Sequence, residues 1–283
     1  MKEKIRLSGV PETMLQTVYA RAKESRGRGA IHDAKAEEII EKLDYDFSLA
    51  DKDTAMHSGV IARTIVLDRL TKAWLGAHPG AVVVNIARGL DTRCYRMSGY
   101  AHWYNLDLPE TMAVREKLLP ESGTISQIAM SAMEVWGSKI SEQNVPVLIV
   151  IEGLTMYLNA KDVQQIFAVI SSRFSQATIF VETMNPAMVR HAHGRHDEFG
   201  SQPCGALGAS ISECCAGFQG AGLRLRWWCE HEKAAEKMPA GYREGHRLFA
   251  RQRGEDEKGQ RDRHRGGALC RPARQCGGYD LRR

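Results

Sequence analysis

The stretch HPGAVVVNIARGLDTRCYR, residues 78–96, decides the fold of this chain. It opens with a Pro-Gly turn, continues as an apolar run from Ala81 to Ile86, and breaks at Ala87-Arg88-Gly89. A short apolar run bounded by turn signals is typical of a strand buried on both faces of a parallel sheet. A glycine after such a strand lets the backbone approach a ligand, and doubly wound folds bind nucleotide-like ligands at this carboxyl end. Because a strand followed by glycine is common, the loop indicates a cofactor site only together with its surroundings.

Helix and strand patterns alternate along the rest of the chain. Helices are predicted at 13–24, 33–43, 54–75, 109–119 and 160–174, and strands at Ala81–Ile86, His102–Leu106, Thr124–Met130, Val147–Ile151 and Thr178–Val181. Asp33 and Asn159 are candidate N-caps of two of these helices. The strands recur about every 20 to 30 residues, which is the length of a βαβ unit. The alternation predicts an α/β fold with a doubly wound, mostly parallel sheet and helices on both faces.

The composition is that of an ordinary globular protein. A length of 283 residues with 43% apolar residues allows one large α/β domain or two small ones. No apolar stretch approaches the ~20 residues of a membrane span, and the segment Met1-Lys2-Glu3-Lys4 is not followed by the apolar core of a secretory signal. Seven unevenly spread cysteines do not suggest a disulfide framework. We therefore expect a cytoplasmic protein without a membrane partner.

The net charge of +5 comes from the C-terminal part of the chain. Residues 239–283 contain 12 Lys and Arg against 6 Asp and Glu, so residues 1–238 carry a net charge of −1. A body this close to neutral lacks the basic surface typical of nucleic-acid binding. The C-terminal part is rich in Arg and Gly, and six of the seven cysteines lie beyond residue 200. Two interpretations stay open: a disordered basic tail, or translation out of frame from between residues 200 and 240, which resequencing the gene would decide.

Three acidic residues stand at or near the carboxyl ends of successive predicted strands: Asp107, Glu134 and Glu152. Asp107 lies about 20 residues beyond the glycine loop, where a carboxylate can accept hydrogen bonds from ribose hydroxyls. Its alternative role is to cap the helix that starts at Pro109, and the alternative for Glu134 is a plain surface position. Glu152 follows a buried strand, so its carboxylate needs a cationic partner from the protein or from a ligand.

Five separated segments together carry a family resemblance. They are residues 78–96, WYNLDLPE at 103–110, VLIVIEGLTMYL at 147–158, YARAKESRGRGAIHDAKA at 19–36 and RTIVLD at 63–68. Their order and spacing resemble the leucine carboxyl methyltransferase superfamily, in particular its bacterial branch of polyketide-type O-methyltransferases, over roughly residues 13–190. The resemblance implies a class I S-adenosylmethionine-dependent methyltransferase fold with seven strands. It also implies methyl transfer to a carboxylate or phenolic oxygen of a small, polyketide-like metabolite.

The resemblance further implies which residues bind S-adenosylmethionine. Arg63 would contact the carboxylate of the methionine moiety through a bidentate fork, whereas by itself an arginine within a helix is more simply a solvated cation. Asp107 would hold the ribose hydroxyls, and Glu152 would lie near the methionine ammonium group. Met133 and Glu134 would flank the adenine.

The loop after the first strand has its own implied roles. Asn85, Ala87 and Gly89 would form the loop under the cofactor. Asp91 and Arg93, in the segment GLDTR, would brace that loop and its neighbours.

At the reacting end, the resemblance places Tyr157 as the catalytic candidate. Arg21 or Lys23 is a further candidate for binding the cofactor carboxylate or an acidic substrate. A carboxylate acceptor is already ionised at neutral pH and needs no general base, so catalysis would rest on proximity, alignment and desolvation. A phenol or alcohol would benefit from a base, and the sequence does not indicate which residue that is.

The chain departs from the family pattern in three places. Arg88 stands where a small residue is usual, so its side chain would either crowd the cofactor or point away from it. Glu134 stands where aspartate is more usual. Family members end with further helix and two antiparallel strands, whereas beyond about His196 only Leu223–Trp228 has strand-like alternation. We expect an N-terminal helical lid at 1–53, a methyltransferase domain at 54–238 and a basic tail at 239–283.

Three other interpretations compete with an active methyltransferase. A degenerate methyltransferase-like protein would bind the cofactor without turnover, as Arg88 and the unusual C-terminal part suggest. An NAD-type dehydrogenase would need a third glycine that the loop lacks. The histidines of HAHGRH, at His191, His193 and His196, have no Cys or carboxylate at a familiar metal-ligand spacing, so we predict no metal.

Overall fold

The computed structural model describes residues Val10–Thr183 and Arg224–Cys229. All of them lie in the first of the chain's two units, Met1–Pro239, the second being Ala240–Arg283. The elements run in the order α1 (Val10–Arg26), α2 (Ala34–Lys42), α3 (Ser48–Lys52), α4 (Thr54–Ala77), β1 (Ala81–Ile86), α5 (Arg93–Arg96), β2 (Tyr100–Asp107), α6 (Pro109–Leu118), β3 (Ile125–Ala129), a 3-10 helix (Trp136–Lys139), β4 (Val147–Ile151), a second 3-10 helix (Thr155–Tyr157), α7 (Ala160–Arg173), β5 (Thr178–Thr183) and β6 (Arg224–Cys229).

The strands form one sheet in the order β3-β2-β1-β4-β5-β6, and every neighbouring pair is parallel. The chain winds outward from β1 to β3 on one side and from β4 to β6 on the other. The order therefore reverses between β1 and β4, and the carboxyl ends of these two strands open a crevice of the kind that binds ligands in doubly wound sheets. The predicted α/β class and doubly wound parallel sheet are confirmed.

The core lies on both faces of β1, whose six residues are all buried. Alternate side chains of a strand point to opposite faces. Val84 and Ile86 accordingly share a cluster with Ile166 and Phe167 of α7, while Val83 packs in a second cluster that includes residues of α4. This double burial explains why five of the six residues of the strand are apolar, with Asn85 as the exception, instead of alternating between apolar and polar.

The N-terminal helices build a third apolar cluster, in which Leu15 of α1 and Ile39 of α2 pack with Leu90 from the loop after β1. Asp33 caps α2 as predicted, accepting a 3.0 Å hydrogen bond from the backbone nitrogen of Ala36. The predicted helical segment at the N-terminus therefore rests directly on the loop that follows the central strand.

The stretch with strand-like alternation, Leu223–Trp228, forms a sixth strand at Arg224–Cys229. It pairs parallel to β5, whereas the resemblance implies that the last two strands of the family are antiparallel. A parallel neighbour requires a crossover of a dozen residues or more, and residues 184–223 provide that length. The basic tail at 239–283 and the HAHGRH histidines lie outside the described residues. Among the residues that are described, no helix has both the length and the apolar character to cross a bilayer.

Candidate functional site

The loop after β1 has a backbone conformation that few side chains tolerate. Ala87 and Gly89 both have positive φ angles, of 49° and 51°. The nitrogen of Ala87 donates a 2.8 Å hydrogen bond to the carbonyl of Leu106 in β2, and the nitrogen of Gly89 donates a 2.7 Å bond to Asp107 Oδ2. Both bonds fix the loop against the carboxyl end of the neighbouring strand.

Gly89 is also required by its surroundings. A Cβ atom added there would lie 2.8 Å from Cβ of Met14 in α1, which is too close for two carbon atoms. The glycine therefore allows α1 to press directly onto the loop, as well as supplying the left-handed conformation.

We predict that Ala87→Gly stabilises the protein. An L-residue at positive φ is strained by about 1–2 kcal/mol, and part of the gain is offset because glycine makes the unfolded chain more flexible. The free energy of unfolding, measured by urea denaturation, should rise by about 0.5–1 kcal/mol. Gly80, which has a φ of 74° and open space around it, provides the reverse control as Gly80→Ala. A lower stability of Ala87→Gly would contradict the prediction.

The side chain of Arg88 turns toward α6. It is 6% exposed, one terminal nitrogen donates to the carbonyl oxygen of Gly89, and the other lies 3.2 Å from the sulfur of Met112. Its Nε has no hydrogen-bond partner in the part of the chain that the structure describes. Burial and the nearby guanidinium of Arg115 lower the pKa of Arg88 to about 9, although the carboxylate of Asp107 opposes this shift. Arg88 thus stays charged at neutral pH.

Asp107 ends β2 and is 8% exposed. Its Oδ1 accepts a 2.8 Å bond from the nitrogen of Leu108, and its Oδ2 accepts the bond from Gly89. Leu108, not Asp107, is the N-cap residue of α6, and no side-chain cap bond is formed there. Asp107 therefore does not cap α6, which was its alternative predicted role.

The base of the loop is a buried polar cluster around Asp91. Asn85 donates a 2.8 Å bond from its side-chain amide to Asp91 Oδ2. The same oxygen lies 2.9 Å from Nη1 of Arg93, and Asp91 Oδ1 accepts a bond from the backbone nitrogen of Arg93. Asn85 and Arg93 therefore both contact Asp91 in the structure.

Arg93 is the centre of this cluster. Its guanidinium is 1% exposed and lies within 2.7–2.9 Å of three carboxylates, those of Asp68, Asp91 and Glu152. Burial lowers its pKa, but the three carboxylates outweigh burial and raise the pKa well above the usual value. Arg93 is one of the cationic partners that the sequence indicates for Glu152, which is partly buried.

The second partner of Glu152 is Arg63 of α4. Arg63 Nε lies 2.9 Å from Glu152 Oε1, and Arg63 Nη1 lies 3.6 Å from Glu182 Oε1 at the end of β5. Arg63 is 16% exposed, so it is not the solvated cation that its place within a helix suggests. Arg63 and Glu152 are brought together, and the sequence did not indicate that Glu182 joins them.

A second chain of charges ties the loop to the N-terminal helices. Arg96 lies 2.9 Å from both Asp68 and Asp33, and Asp33 also accepts bonds from Arg21 at 3.0 Å and from Thr92 at 2.6 Å. Arg21 is 5% exposed and donates its remaining bond to the carbonyl of Leu90. Arg21 is thus a structural partner of Asp33 in this structure.

Lys23, the other candidate for an acidic ligand, lies at the surface. It forms an exposed ion pair with Asp51 at 2.5 Å. Exposed pairs of this kind contribute little to stability.

We predict that these aspartates make the fold sensitive to acid. Burial raises the pKa of both Asp33 and Asp91. The guanidiniums of Arg96 and Arg21 outweigh burial at Asp33, and those of Arg93 and Arg96 outweigh it at Asp91, so both pKa values lie below the ordinary one. A lowered folded-state pKa contributes stability that is complete above the unfolded value of about 3.9 and is lost as the pH falls through the folded value. Urea denaturation between pH 7 and pH 3 should show a steeper loss below about pH 4 for the wild type than for Asp91→Asn. Equal slopes would contradict the prediction.

The remaining predicted residues, Met133, Glu134 and Tyr157, are exposed. Met133 is 37% and Tyr157 41% exposed. Glu134 is exposed, and its Oε1 accepts a 2.9 Å bond from the nitrogen of Ser131, which closes the turn after β3. Tyr157 ends the short 3-10 helix that begins three residues after Glu152. These three residues are therefore not tied into the buried ion cluster.

Cys94 is a packed residue in the structure. It is 1% exposed and unpaired, and burial raises its pKa to about 12, so its thiol stays protonated and is a poor nucleophile. Within Val10–Thr183 and Arg224–Cys229, no three His, Cys, Asp or Glu side chains are arranged to hold a metal ion.

Comparison with known proteins agrees with the resemblance. Residues 14–171 match the leucine carboxyl methyltransferase family. The chain is 35% identical to the tetracenomycin polyketide synthesis O-methyltransferase TcmP of Streptomyces glaucescens over 196 residues, 68% of this chain and 72% of that protein. It is 27% identical to the S-adenosyl-L-methionine-dependent methyltransferase dpfgK of Gibberella zeae over 199 residues, 63% of this chain and 66% of that protein.

Among solved structures, magnesium protoporphyrin IX methyltransferase (ChlM) from Synechocystis PCC 6803 with bound SAH covers 70% of this chain and 87% of its own, at 10% identity and a TM-score of 0.39. A likeness this weak gives no information about the fold beyond the strand order described above. The family match spans more than half of the chain, and it includes β1 to β4 with all the buried charges from Arg63 to Glu152. The chain belongs to the leucine carboxyl methyltransferase family and is an S-adenosylmethionine-dependent O-methyltransferase.

Proposed function

We propose that this enzyme methylates a carboxylate or phenolic oxygen of a small, polyketide-like metabolite. The single observation that carries the proposal is that Asp107 and the Glu152–Arg63 pair lie at the carboxyl ends of β2 and β4, the two neighbours of β1, where doubly wound sheets bind nucleotide-like ligands. The name of the relative TcmP, an O-methyltransferase of polyketide synthesis, supports the acceptor class. The near-neutral charge of residues 1–238 supports a small acceptor over nucleic acid.

The side chains present fit S-adenosylmethionine. A carboxylate has about four lone-pair positions, and Asp107 uses two of them on backbone nitrogens, which leaves capacity for two ribose hydroxyls. Glu152 likewise receives one guanidinium on each oxygen and keeps capacity for an ammonium group. Arg63 would contact the cofactor carboxylate while its guanidinium stays paired with Glu152 and Glu182. Met133 and Glu134 would contact the adenine.

When bound, S-adenosylmethionine supplies a methyl group activated by the positive sulfonium. The chain's own residues would then bind and align. The loop with Asn85, Ala87 and Gly89, braced by Asp91, would support the cofactor from below. Tyr157 would orient the acceptor oxygen with its phenolic hydroxyl. Because a carboxylate acceptor is ionised at neutral pH, positioning and water exclusion suffice for it.

The free thiol of Cys94 and the odd number of cysteines fit a reducing compartment. We therefore include a cytoplasmic location in the proposal.

The test is calorimetric titration with S-adenosylmethionine, followed by release of S-adenosylhomocysteine with paired acceptors. Each pair is an aromatic polyketide acid with a free phenol, offered as the acid and as its methyl ester. Turnover with the acid alone identifies a carboxylate acceptor, and turnover with both identifies a phenol. Micromolar binding without turnover on either member of any pair would overturn the proposed acceptor class. A folded sample that does not bind the cofactor would overturn the proposed site.

A further inference from the structure

Glu182 connects two parts of the crevice that lie far apart in the sequence. It stands near the end of β5 and is 4% exposed. Its Oε2 accepts a 2.7 Å hydrogen bond from the nitrogen of Gly153, and its Oε1 lies 3.6 Å from Arg63 Nη1. Its backbone carbonyl accepts a 2.7 Å bond from the hydroxyl of Thr155. One residue therefore contacts Arg63 and both sides of the turn after Glu152.

That turn needs support because of its conformation. Gly153 has a φ of 67°, and a Cβ added there would lie 3.7 Å from a terminal nitrogen of Arg63. Gly153 directly follows Glu152, so the hydrogen bond from its nitrogen to Glu182 fixes the backbone position of Glu152 just after the end of β4. A bond from a backbone nitrogen to an ionised carboxylate is also stronger than a neutral one.

The two glutamates that pair with Arg63 differ in their exposure to solvent. Both pair with Arg63, but the Glu152 side chain is 15% exposed while that of Glu182 is only 2% exposed. Glu152 is thus the carboxylate closer to solvent, and Glu182 is the one held inside. If the ammonium group of a ligand binds to Glu152 and weakens its ion pair with Arg63, the ion pair between Arg63 and Glu182 still holds the Arg63 guanidinium in place.

Resting on the function proposed above, we propose that Glu182 is a positioning residue for the amino-acid end of the cofactor. It touches neither the methyl group nor the acceptor. It holds the Gly153 turn and the Arg63 guanidinium so that Glu152 faces an ammonium and Arg63 faces a carboxylate.

The test compares two ligands by calorimetry. S-adenosylhomocysteine carries the ammonium and carboxylate, whereas 5′-methylthioadenosine has the same nucleoside and thioether without them. We expect Glu182→Ala to weaken S-adenosylhomocysteine at least tenfold and to change 5′-methylthioadenosine less than twofold. Glu182→Gln keeps an acceptor for Gly153 but loses the charge facing Arg63, so we expect about a threefold loss for S-adenosylhomocysteine alone. Glu142→Ala is the control, because Glu142 is a partly buried glutamate whose carboxylate accepts a bond from Tyr104 and does not contact Arg63 or Gly153. It should weaken neither ligand.

The outcomes separate this inference from the proposed function. If the folded wild type binds neither ligand, the proposed function fails and the role of Glu182 fails with it. If the wild type binds S-adenosylhomocysteine and both Glu182 variants bind it within twofold, the positioning role is overturned while the function stands. Equal weakening of both ligands would also overturn the role, since it would mark general damage to the fold. If Glu182→Ala does not fold, the Glu182→Gln comparison decides the question.

Discussion

Replacing Arg93 by methionine should lower the free energy of unfolding by about 4 kcal/mol, because breaking a buried ion pair by removing one partner typically costs 3–5 kcal/mol. The Arg93 guanidinium is 1% exposed and serves three carboxylates at once. Methionine fills much of the same volume, so the loss is mainly that of the charge and its hydrogen bonds. Asp91 would stay buried, and Asp68 and Glu152 partly buried, without their shared cation. Because a whole domain is stable by only about 5–15 kcal/mol, this variant should be close to unfolded at 37 °C.

Urea denaturation at pH 7 measures the effect, with Arg69→Met as the control. Arg69 lies in the same helix as Asp68 but is exposed, so its replacement should change stability by less than about 0.5 kcal/mol. Arg93→Lys keeps the charge but not the planar fork, and we expect an intermediate loss. The deficit of Arg93→Met should also shrink toward pH 3 as the carboxylates become protonated. A loss below about 1 kcal/mol would show that the cluster does not depend on Arg93.

Asp107→Ala should weaken binding of S-adenosylmethionine about a hundredfold. Hydrogen bonds to a charged group contribute about 1.5–3 kcal/mol each, and the proposed function assigns two ribose hydroxyls to this carboxylate. A hundredfold loss corresponds to about 2.8 kcal/mol, which allows for water replacing part of the interaction. Calorimetric titration gives the affinity directly.

Two variants control this measurement. Glu110→Ala removes an exposed carboxylate from the first turn of α6, three residues from Asp107, and should leave the affinity unchanged. Asp107→Asn keeps an acceptor for one backbone nitrogen and should bind more tightly than Asp107→Ala. Melting curves check that the loss of the bonds from Gly89 and Leu108 has not unfolded the chain. Unchanged affinity in a folded Asp107→Ala would remove Asp107 from the proposed site.

The central strands could be predicted residue by residue. β1 and β4 begin and end where their runs of mostly apolar residues do, because a strand buried on both faces is nearly all apolar. The exception in β1 is Asn85, whose amide is hydrogen-bonded to Asp91. The limits of β2 are less clear in the sequence. It begins at Tyr100, two residues before the predicted start, and this first part of the strand is not fully buried. Where a strand extends beyond the buried core, its residues need not be apolar, so the apolar pattern in the sequence does not mark where the strand begins or ends.

The buried charges show what a linear pattern does not contain. The sequence indicates that Glu152 needs a cation, but its partners come from α4 and α5, and only the packed fold brings those helices to the end of β4. Glu182 and Asp68 carry no local signal, so their contacts with Arg63 and Arg93 could not be foreseen. The direction of Arg88 was equally open, since it depends on the space beside Met112. The ligand roles of the predicted residues stay predictions.

The position of Asp33 has a consequence for the order in which the chain is made. Asp33 accepts hydrogen bonds from Thr92 and Arg96, which follow it by 59 and 63 positions. The cluster of α1 and α2 likewise includes Leu90. On the ribosome, the first helices therefore emerge long before the partners that neutralise and cover them. Domains generally fold as units during synthesis. We therefore expect the apolar surface of α1 and α2 to stay accessible to chaperones until the central strand and its loop have been translated.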